Sequence, residues 1–188
     1  MASRSNLTRE DWIYAAQQVL SKSGVDAVRV DTLAKELNIT RGSFYHHFAN
    51  REELLLGILG SWRARATEDV ILHLRNNQTS PQKQITRLLE LPYHGHAAQQ
   101  AAAVELGIRA WARADRQARQ AIDEVDKHRL AYIENLLMQI GLTDAEARDR
   151  AHLIYAYQLG VSLIADHGDS AGRMERLTHF MIPHDKNG

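Results

Sequence analysis

Residues 38–51 form a segment that is rich in hydrogen-bonding and cationic side chains and free of carboxylates. Its candidate contact residues are Thr40, Arg41, Gly42, Ser43, Tyr45, His46, His47 and Arg51. Phe44 and Phe48 stand four residues apart, so in a helix they share one face and leave much of the polar set on the opposite face. Guanidinium, hydroxyl and imidazole groups without a nearby carboxylate are what a surface needs to approach phosphate oxygens.

Two short helices joined by a tight turn must position this segment. The apolar residues of the stretch 32–37 mark one buried helix face, Asn38 ends that helix, and the next helix begins near Arg41. This helix-turn-helix layout is typical of proteins that read DNA. Short helix pairs also occur in helical proteins that bind no nucleic acid, where the same residues would form a solvated polar face.

Residues 42–54 read Gly-Ser-Phe-Tyr-His-His-Phe-Ala-Asn-Arg-Glu-Glu-Leu, which closely resembles the signature of the tetracycline-repressor (TetR) family of transcriptional regulators. The resemblance is close over residues 8–56, and beyond them it is one of length, helix pattern and helix order. It implies an all-α fold of about nine helices. It also implies a DNA-binding domain in residues 1–48 and a ligand-binding and dimerisation domain in residues 49–188.

The resemblance implies roles for the residues of the polar segment, because the matching positions of that family supply base and phosphate contacts. Arg41, at the start of its helix, is suited to read a base, since its fork can span O6 and N7 of guanine. Ser43, Tyr45 and His47 suit phosphate oxygens. Arg51 opens the fourth helix, where a guanidinium and main-chain N–H groups could hold a phosphate together.

The charge of the chain is balanced. It carries 23 Lys and Arg against 23 Asp and Glu, and residues 1–56 contain seven of each sign. We expect Asp26, Asp31 and Glu36 to face away, and Arg4, Arg9, Arg41 and Arg51 to lie on the segments that meet a duplex. The neutral balance keeps a second class open, a helical small-molecule-binding or scaffolding protein that does not bind DNA.

Caps and apolar spacing predict the remaining helices. The first helix follows a capping box at Thr8 and ends at Ser23-Gly24, and the fourth runs from Arg51 toward Leu74. Later helices are expected over residues 81–91, 97–114, 116–140, 144–166 and about 170–181, with Ser80, Asp115 and Thr143 as caps and Gly141 as a left-handed C-terminal residue.

Six residues are candidates for an effector pocket: Trp62, Tyr93, His94, Glu105, Arg109 and Trp111. In the resembled family, the helices that carry them enclose a pocket for a small organic ligand. Glu105 and Arg109 are four residues apart in a helix otherwise rich in Ala, Leu and Ile, so an ion pair on one face is expected. A solvent-exposed pair fits this spacing as well as a pocket-lining pair does.

The stretch 151–165 is apolar on nearly every side, and a helix of this kind needs cover on both sides. A second copy of the chain is the simplest cover. The candidate contact residues are Tyr157, Gly160, Val161 and Ile164, joined by Leu177 from the final helix.

The sequence lacks the residues and motifs that several classes of chemistry require. Cysteine is absent, which excludes disulfides, cysteine zinc sites and thiol nucleophiles. Hydrolase, zinc-protease, P-loop and dinucleotide motifs are also absent, so neither an enzyme nor a cofactor is expected. His46 and His47 diverge by about 100° on a helix and cannot easily share an ion. His94 and His96 could, but no third ligand lies at short spacing, so no metal is expected.

The apolar runs are short, and the amino terminus lacks the core of a signal peptide, so no membrane partner is expected and the protein is expected to be soluble and cytoplasmic. The interpretation that joins these observations is a homodimeric, all-helical transcriptional regulator. It would repress from a palindromic operator in double-stranded DNA. A small organic ligand that prefers a conformer unable to bind the operator would release it.

Overall fold

The computed structural model describes residues 7–69, 80–90, 95–161, 163–164 and 170–182. Within these ranges the chain forms nine α-helices and no strand, as the all-α prediction required. The helices are α1 (Arg9–Ser23), α2 (Val30–Glu36), α3 (Arg41–Phe44), α4 (Arg51–Arg63), α5 (Pro81–Glu90), α6 (Gly95–Trp111), α7 (Arg116–Gln139), α8 (Asp144–Val161) and α9 (Ser170–Met181). A 3-10 turn (Val25–Ala27) precedes α2, and a π-helical stretch (Ala64–Asp69) follows α4.

The described residues form two compact units. The first combines the described part of residues 1–66 with residues 103–123, and the second takes the described parts of 67–102 and 124–188. The division therefore falls within α6 and within α7. The boundary expected after residue 48 is a functional one and stays a prediction.

The predicted starts of α1, α7 and α8 are confirmed in detail. Thr8 and Asp11 form a reciprocal capping box at α1, and Thr143 and Glu146 do the same at α8. Asp115 accepts from the main-chain N–H of Ala118 at the start of α7. Gly141 follows α7 with φ of 95°, the left-handed conformation expected of it.

The core of the first unit is built around the aromatic rings of α1 and α3. Trp12 meets Phe44 edge to face at 5.3 Å, and Phe44 stacks on Phe48 at 5.2 Å. All three side chains are buried. Gly107 of α6 lies so close to the end of α1 that a Cβ there would sit 3.2 Å from the carbonyl oxygen of Leu20. A larger residue at position 107 would force these two helices apart.

The core of the second unit joins α5, α7 and α8. Its buried members are Ile85, Leu88, Leu89, Tyr132, Ile133, Leu136, Leu137, Ala147, Ala151, Ile154, Tyr155 and Ile182. The two tyrosines keep their hydroxyls satisfied, since Tyr132 donates to Gln84 at 2.5 Å and Tyr155 donates to Asp126 at 2.6 Å. Both tyrosines therefore pack in the core with a satisfied hydroxyl.

The bounds of α6 and of α8 differ from the predicted ones, and the predicted length of α4 stays untested beyond residue 69. The α-helical part of α4 ends at Arg63, and the expected extension toward Leu74 lies outside the described residues after position 69. Helix α6 runs from Gly95 to Trp111, so it begins and ends before the expected positions 97 and 114. Helix α8 ends at Val161 instead of about 166. The carbonyl of Gly160 accepts from the N–H groups of both Leu163 and Ile164.

Candidate nucleic-acid interface

A sharp turn joins α2 to α3. Asn38 adopts φ of 53°, a left-handed conformation that asparagine tolerates better than most residues. Its N–H donates to the carbonyl of Lys35, and the N–H of Ile39 donates to the carbonyl of Ala34 at 2.9 Å. These two bonds satisfy the last carbonyls of α2 and form a Schellman end. The chain then reaches Thr40, whose extended backbone begins α3.

Helix α3 has one buried face and one open face. Phe44 and Phe48 are buried, and main-chain bonds from His47 and Phe48 to the carbonyl of Phe44 continue the helical turn beyond its last formal residue. The predicted contact residues divide by exposure: Thr40, Arg41, Gly42, Tyr45 and His46 are exposed, and Ser43 and His47 are half-buried. The structure therefore brings these seven residues together on α3 and the residues that flank it, whereas Arg51 lies on α4.

Arg41 has an acidic neighbour that the sequence analysis placed elsewhere. Its Nε lies 2.9 Å from Oδ1 of Asp31, the second residue of α2. The expectation that Asp31 faces away from the reading surface was therefore wrong. The two side chains are 63% and 68% exposed, so both stay within reach of a partner in solution.

Arg51 is held by main-chain carbonyls. Its Nε donates to the oxygen of Val28 at 2.6 Å, and its Nη2 donates to the oxygen of Val25 at 2.7 Å. Its guanidinium thus ties the first turn of α4 to the 3-10 turn that leads into α2. The phosphate contact expected of Arg51 stays a prediction, and the two carbonyls compete with a phosphate for the same donors.

Glu53 is a further organising residue that the sequence analysis did not single out. It accepts from the main-chain N–H of Ala49 at 2.7 Å and lies 3.4 Å from Nη2 of Arg9. The guanidinium of Arg9 also sits 4.7 Å from the ring centre of Phe48. The available signal was the spacing of Asn50 and Glu53, since asparagine followed three residues later by glutamate resembles a capping box. Arg4, the remaining cation of the expected set, lies outside the described residues.

The helix-turn-helix segment also matches a known protein family in sequence. Residues 13–58, which include α2, the turn and α3, match the family described as bacterial regulatory proteins of the tetR family. Residues 13–58 therefore carry the helix-turn-helix of the tetR family. The match covers about a quarter of the chain and holds most of the residues expected to contact DNA.

Known proteins resemble this chain over a longer stretch, in sequence or in fold. An HTH-type transcriptional regulator of Bacillus subtilis (strain 168), YuxN, is 33% identical over 82 residues, which span 42% of this chain and only 28% of that protein. A Saccharomonospora viridis structure in complex with choline has a TM-score of 0.76 at 20% identity, covering 94% of this chain and 96% of that one. The regulator FadR from Bacillus subtilis, in complex with stearoyl-CoA, has a TM-score of 0.68 at 17% identity, covering 93% and 98%. At such identities the structures establish the fold.

The residues expected to bind an effector are only partly described. Trp62 and Trp111 are buried, and the indole N–H of Trp62 has no acceptor among the described residues. Glu105 and Arg109 form the expected ion pair at 2.9 Å, with side chains only 12% and 22% exposed. Tyr93 and His94 lie outside the described residues. A groove of about 560 Å³ along α1 and α4 includes none of the six.

The residues expected at a dimer interface lie at the end of α8 and on α9. Tyr157, Gly160, Val161 and Leu177 are half-buried. Ile164 is exposed and follows the end of α8 rather than continuing its face. Leu153 on α8 and Phe180 on α9 are also exposed apolar side chains. The second unit thus presents several large apolar groups to solvent.

The described residues show neither a membrane-spanning helix nor a cluster of metal ligands. None of these helices has both the length and the apolar composition needed to cross a membrane. The described histidine, aspartate and glutamate side chains contain no group of three placed to hold a metal ion.

Proposed function

We propose that this chain is a DNA-binding transcriptional regulator that acts in the cytoplasm as a homodimer, most simply as a repressor. The observation that carries the proposal is the open face of α3 within the segment that matches the tetR family. Arg41 reads a base edge in the major groove, and Ser43, Tyr45 and His47 contact phosphates, with Thr40, Gly42 and His46 beside them. Arg51 supports this surface through the carbonyls of Val25 and Val28.

A small organic ligand is proposed to release the protein from its operator. Two proteins of the same fold are known with choline and with stearoyl-CoA bound. In this chain the buried indole N–H of Trp62 has no hydrogen-bond acceptor among the described residues. This observation favours a ligand that carries such an acceptor. The shielded pair Glu105 and Arg109 supplies polar groups on an otherwise apolar helix. Tyr93, His94 and Trp111 are the remaining residues proposed to contact the ligand.

Dimerisation is proposed to bury the exposed apolar groups of the second unit. Ile164 is 71% exposed and Phe180 is 76% exposed in the single chain. Apolar groups of this size favour contact with another protein surface. A Cβ added at Gly160 would have nothing within 4 Å, so another helix could approach there. Two copies related by a two-fold axis would present two α3 helices to a palindromic operator.

Selection from a pool of random DNA duplexes tests the proposed function. The parent protein should enrich inverted repeats whose half-sites lie about one helical turn apart. The variant Arg41→Ala should lose the base preference at one position in each half-site, which is worth about 1–3 kcal/mol. Arg148→Ala, which removes a cation from α8, is the matched control and should select the same sequences as the parent.

The outcomes separate the proposed classes. A parent protein that enriches no sequence, and binds the pool no better than an unrelated neutral protein does, would contradict DNA binding and favour the helical small-molecule-binding or scaffolding alternative. An enriched site that raises expression of a linked reporter when the protein binds would keep DNA binding and make the chain an activator.

A ligand screen tests the release step. Binding should change the fluorescence of Trp62 or Trp111, and a Trp12→Phe background removes the signal of the amino-terminal core. By linkage, the ligand must weaken operator binding by the same factor by which the operator weakens ligand binding. A tightly bound compound that leaves operator affinity unchanged would contradict the release mechanism.

A further inference from the structure

The ion pair between Asp31 and Arg41 links the two helices of the helix-turn-helix. The carboxylate of Asp31 approaches Nε, on the side edge of the guanidinium, at 2.9 Å. A guanidinium is planar and presents its five N–H donors in a fixed fork. Fixing the side edge therefore also fixes the direction of the end edge, formed by Nη1 and Nη2. That end edge is the part of arginine that spans O6 and N7 of guanine.

We propose that Asp31 is a specificity-determining residue that orients the Arg41 fork for guanine before DNA is bound. The inference rests on the proposed function, because it assigns a role within the same DNA-reading surface. An unheld arginine side chain loses rotamer freedom when it binds, and prior orientation reduces that loss. This gain in affinity arises only at a base that accepts hydrogen bonds from both N–H groups of Arg41. The ion pair with Asp31 therefore raises the preference for guanine rather than the affinity for DNA in general.

The carboxylate also acts against indiscriminate binding. Asp31 is exposed on α2, the helix that precedes α3. The polar side chains from Leu37 to Arg51, which include those of α3, are neutral or cationic. A negative charge beside the duplex repels the phosphates at every position where the protein binds. At a guanine site the orientation of Arg41 offsets this repulsion, and at other sites nothing does. Asp31 therefore widens the gap between specific and non-specific affinity.

The pair contributes little to folding, which makes it testable. Both side chains are largely exposed, and exposed ion pairs add little stability. Asp31→Asn should therefore leave the thermal unfolding temperature close to that of the parent. Glu36→Gln is the matched control, because Glu36 is also an exposed carboxylate on α2 and Arg41 pairs with Asp31 instead.

The experiment compares the parent, Asp31→Asn, Asp31→Glu and Glu36→Gln on the duplex that the parent selects from a random pool. Each protein is also titrated with duplexes that carry the other three bases at the position assigned by Arg41→Ala. Asp31→Asn should lower the preference for guanine there by about threefold to tenfold and leave the other positions unchanged. Asp31→Glu keeps the carboxylate and should retain more of the preference, and Glu36→Gln should keep it fully.

Three results would overturn the inference. If Asp31→Asn binds every duplex more tightly by one common factor, Asp31 only repels phosphates. If it changes the preference at a different position, Asp31 reads a base itself. If it has the same effect on preference in an Arg41→Ala background, it does not act through Arg41. A parent that selects no sequence would instead overturn the proposed function, and the inference with it.

Discussion

The guanidinium of Arg51 binds the main-chain carbonyl of Val28, with its Nε donating to that oxygen at 2.6 Å. The second donor, Nη2, reaches the carbonyl of Val25 at 2.7 Å. One side chain at the start of α4 thereby satisfies two acceptors around the 3-10 turn before α2. The position of α2 and α3 relative to α4 depends in part on these two hydrogen bonds.

Arg51→Ala should destabilise the first unit, because it removes both donors and leaves two carbonyls with lost partners. Hydrogen bonds to charged groups contribute about 1.5–3 kcal/mol each, and Arg51 is half-buried, so a loss of about 2 kcal/mol in the free energy of unfolding is expected. Urea unfolding measures it. Arg29→Ala is the control, since exposed Arg29 donates to the nearby carbonyl of Asp26. Equal, small losses in both variants would contradict the structural role.

The salt dependence of DNA binding separates this role from a phosphate contact. A cation that neutralises one phosphate contributes about one unit to the slope of log affinity against log salt concentration. Since carbonyls already engage the Arg51 guanidinium, Arg51→Ala should weaken operator binding while the slope stays that of the parent. A slope reduced by about one would restore the phosphate contact predicted from the sequence.

The capping box of α1 predicts a dependence of stability on acid pH. The main-chain N–H of Thr8 and then its hydroxyl donate to Asp11, and these bonds lower the pKa of Asp11 below its usual 3.8. A lowered pKa in the folded state means that ionised Asp11 stabilises the fold above about pH 4. That contribution is lost as the pH falls through the lowered pKa.

Asp11→Asn tests this dependence by chemical unfolding across the acid range. The parent should be more stable than the variant near neutral pH, and the difference should shrink as the pH falls below about 4. Glu10→Gln removes another carboxylate from the same first turn and serves as control. A difference between the parent and Asp11→Asn that persists unchanged at low pH would show that the carboxylate charge is not what stabilises α1.

Helix starts could be predicted from the sequence because caps are local. Thr8 and Thr143 each bond the main-chain N–H three residues later, so the whole interaction lies in four adjacent letters. The end of α8 had no such signal. The residues after Val161 are Ser-Leu-Ile-Ala, a composition that a helix accepts, and the first helix-breaking glycine comes only at position 168.

The open face of α3 could likewise be predicted, since the spacing of Phe44 and Phe48 fixes which side is buried. The partners of the guanidinium groups of Arg41 and Arg51 could not be predicted from the sequence. Asp31 and Arg41 are ten residues apart and meet only because the turn at Asn38 folds α2 against α3. The partners of Arg51 are main-chain carbonyls 23 and 26 residues away, and every residue has such a carbonyl, so no residue type marks them.

Ile164→Asp should weaken the proposed dimer without unfolding the chain. Ile164 is largely exposed in the single chain, so the new carboxylate enters no core, but in a dimer it would be buried without a partner. A penalty of about 3 kcal/mol corresponds to a dissociation constant raised about 100-fold. Sedimentation equilibrium measures this shift. Met138→Asp alters another exposed apolar residue, 41% exposed on α7, and should dimerise as the parent does.

Two ion pairs of the same spacing differ in their surroundings and should differ in energy. Glu105 and Arg109 on α6 meet at 2.9 Å with side chains 12% and 22% exposed. Arg119 and Asp123 on α7 meet at 2.6 Å with side chains 63% and 55% exposed. Both pairs are four residues apart on a helix, so they share local geometry and differ chiefly in access to water.

Double-mutant cycles with alanine at each pair measure the coupling directly. The exposed pair should couple by about 0.5 kcal/mol or less, and salt should reduce it further. The shielded pair should couple by about 1–3 kcal/mol and respond less to salt, because removing one partner leaves a poorly hydrated charge. Equal couplings, screened alike by salt, would mean that water reaches Glu105 and Arg109 freely, and these two residues would then lose their place in the proposed ligand pocket.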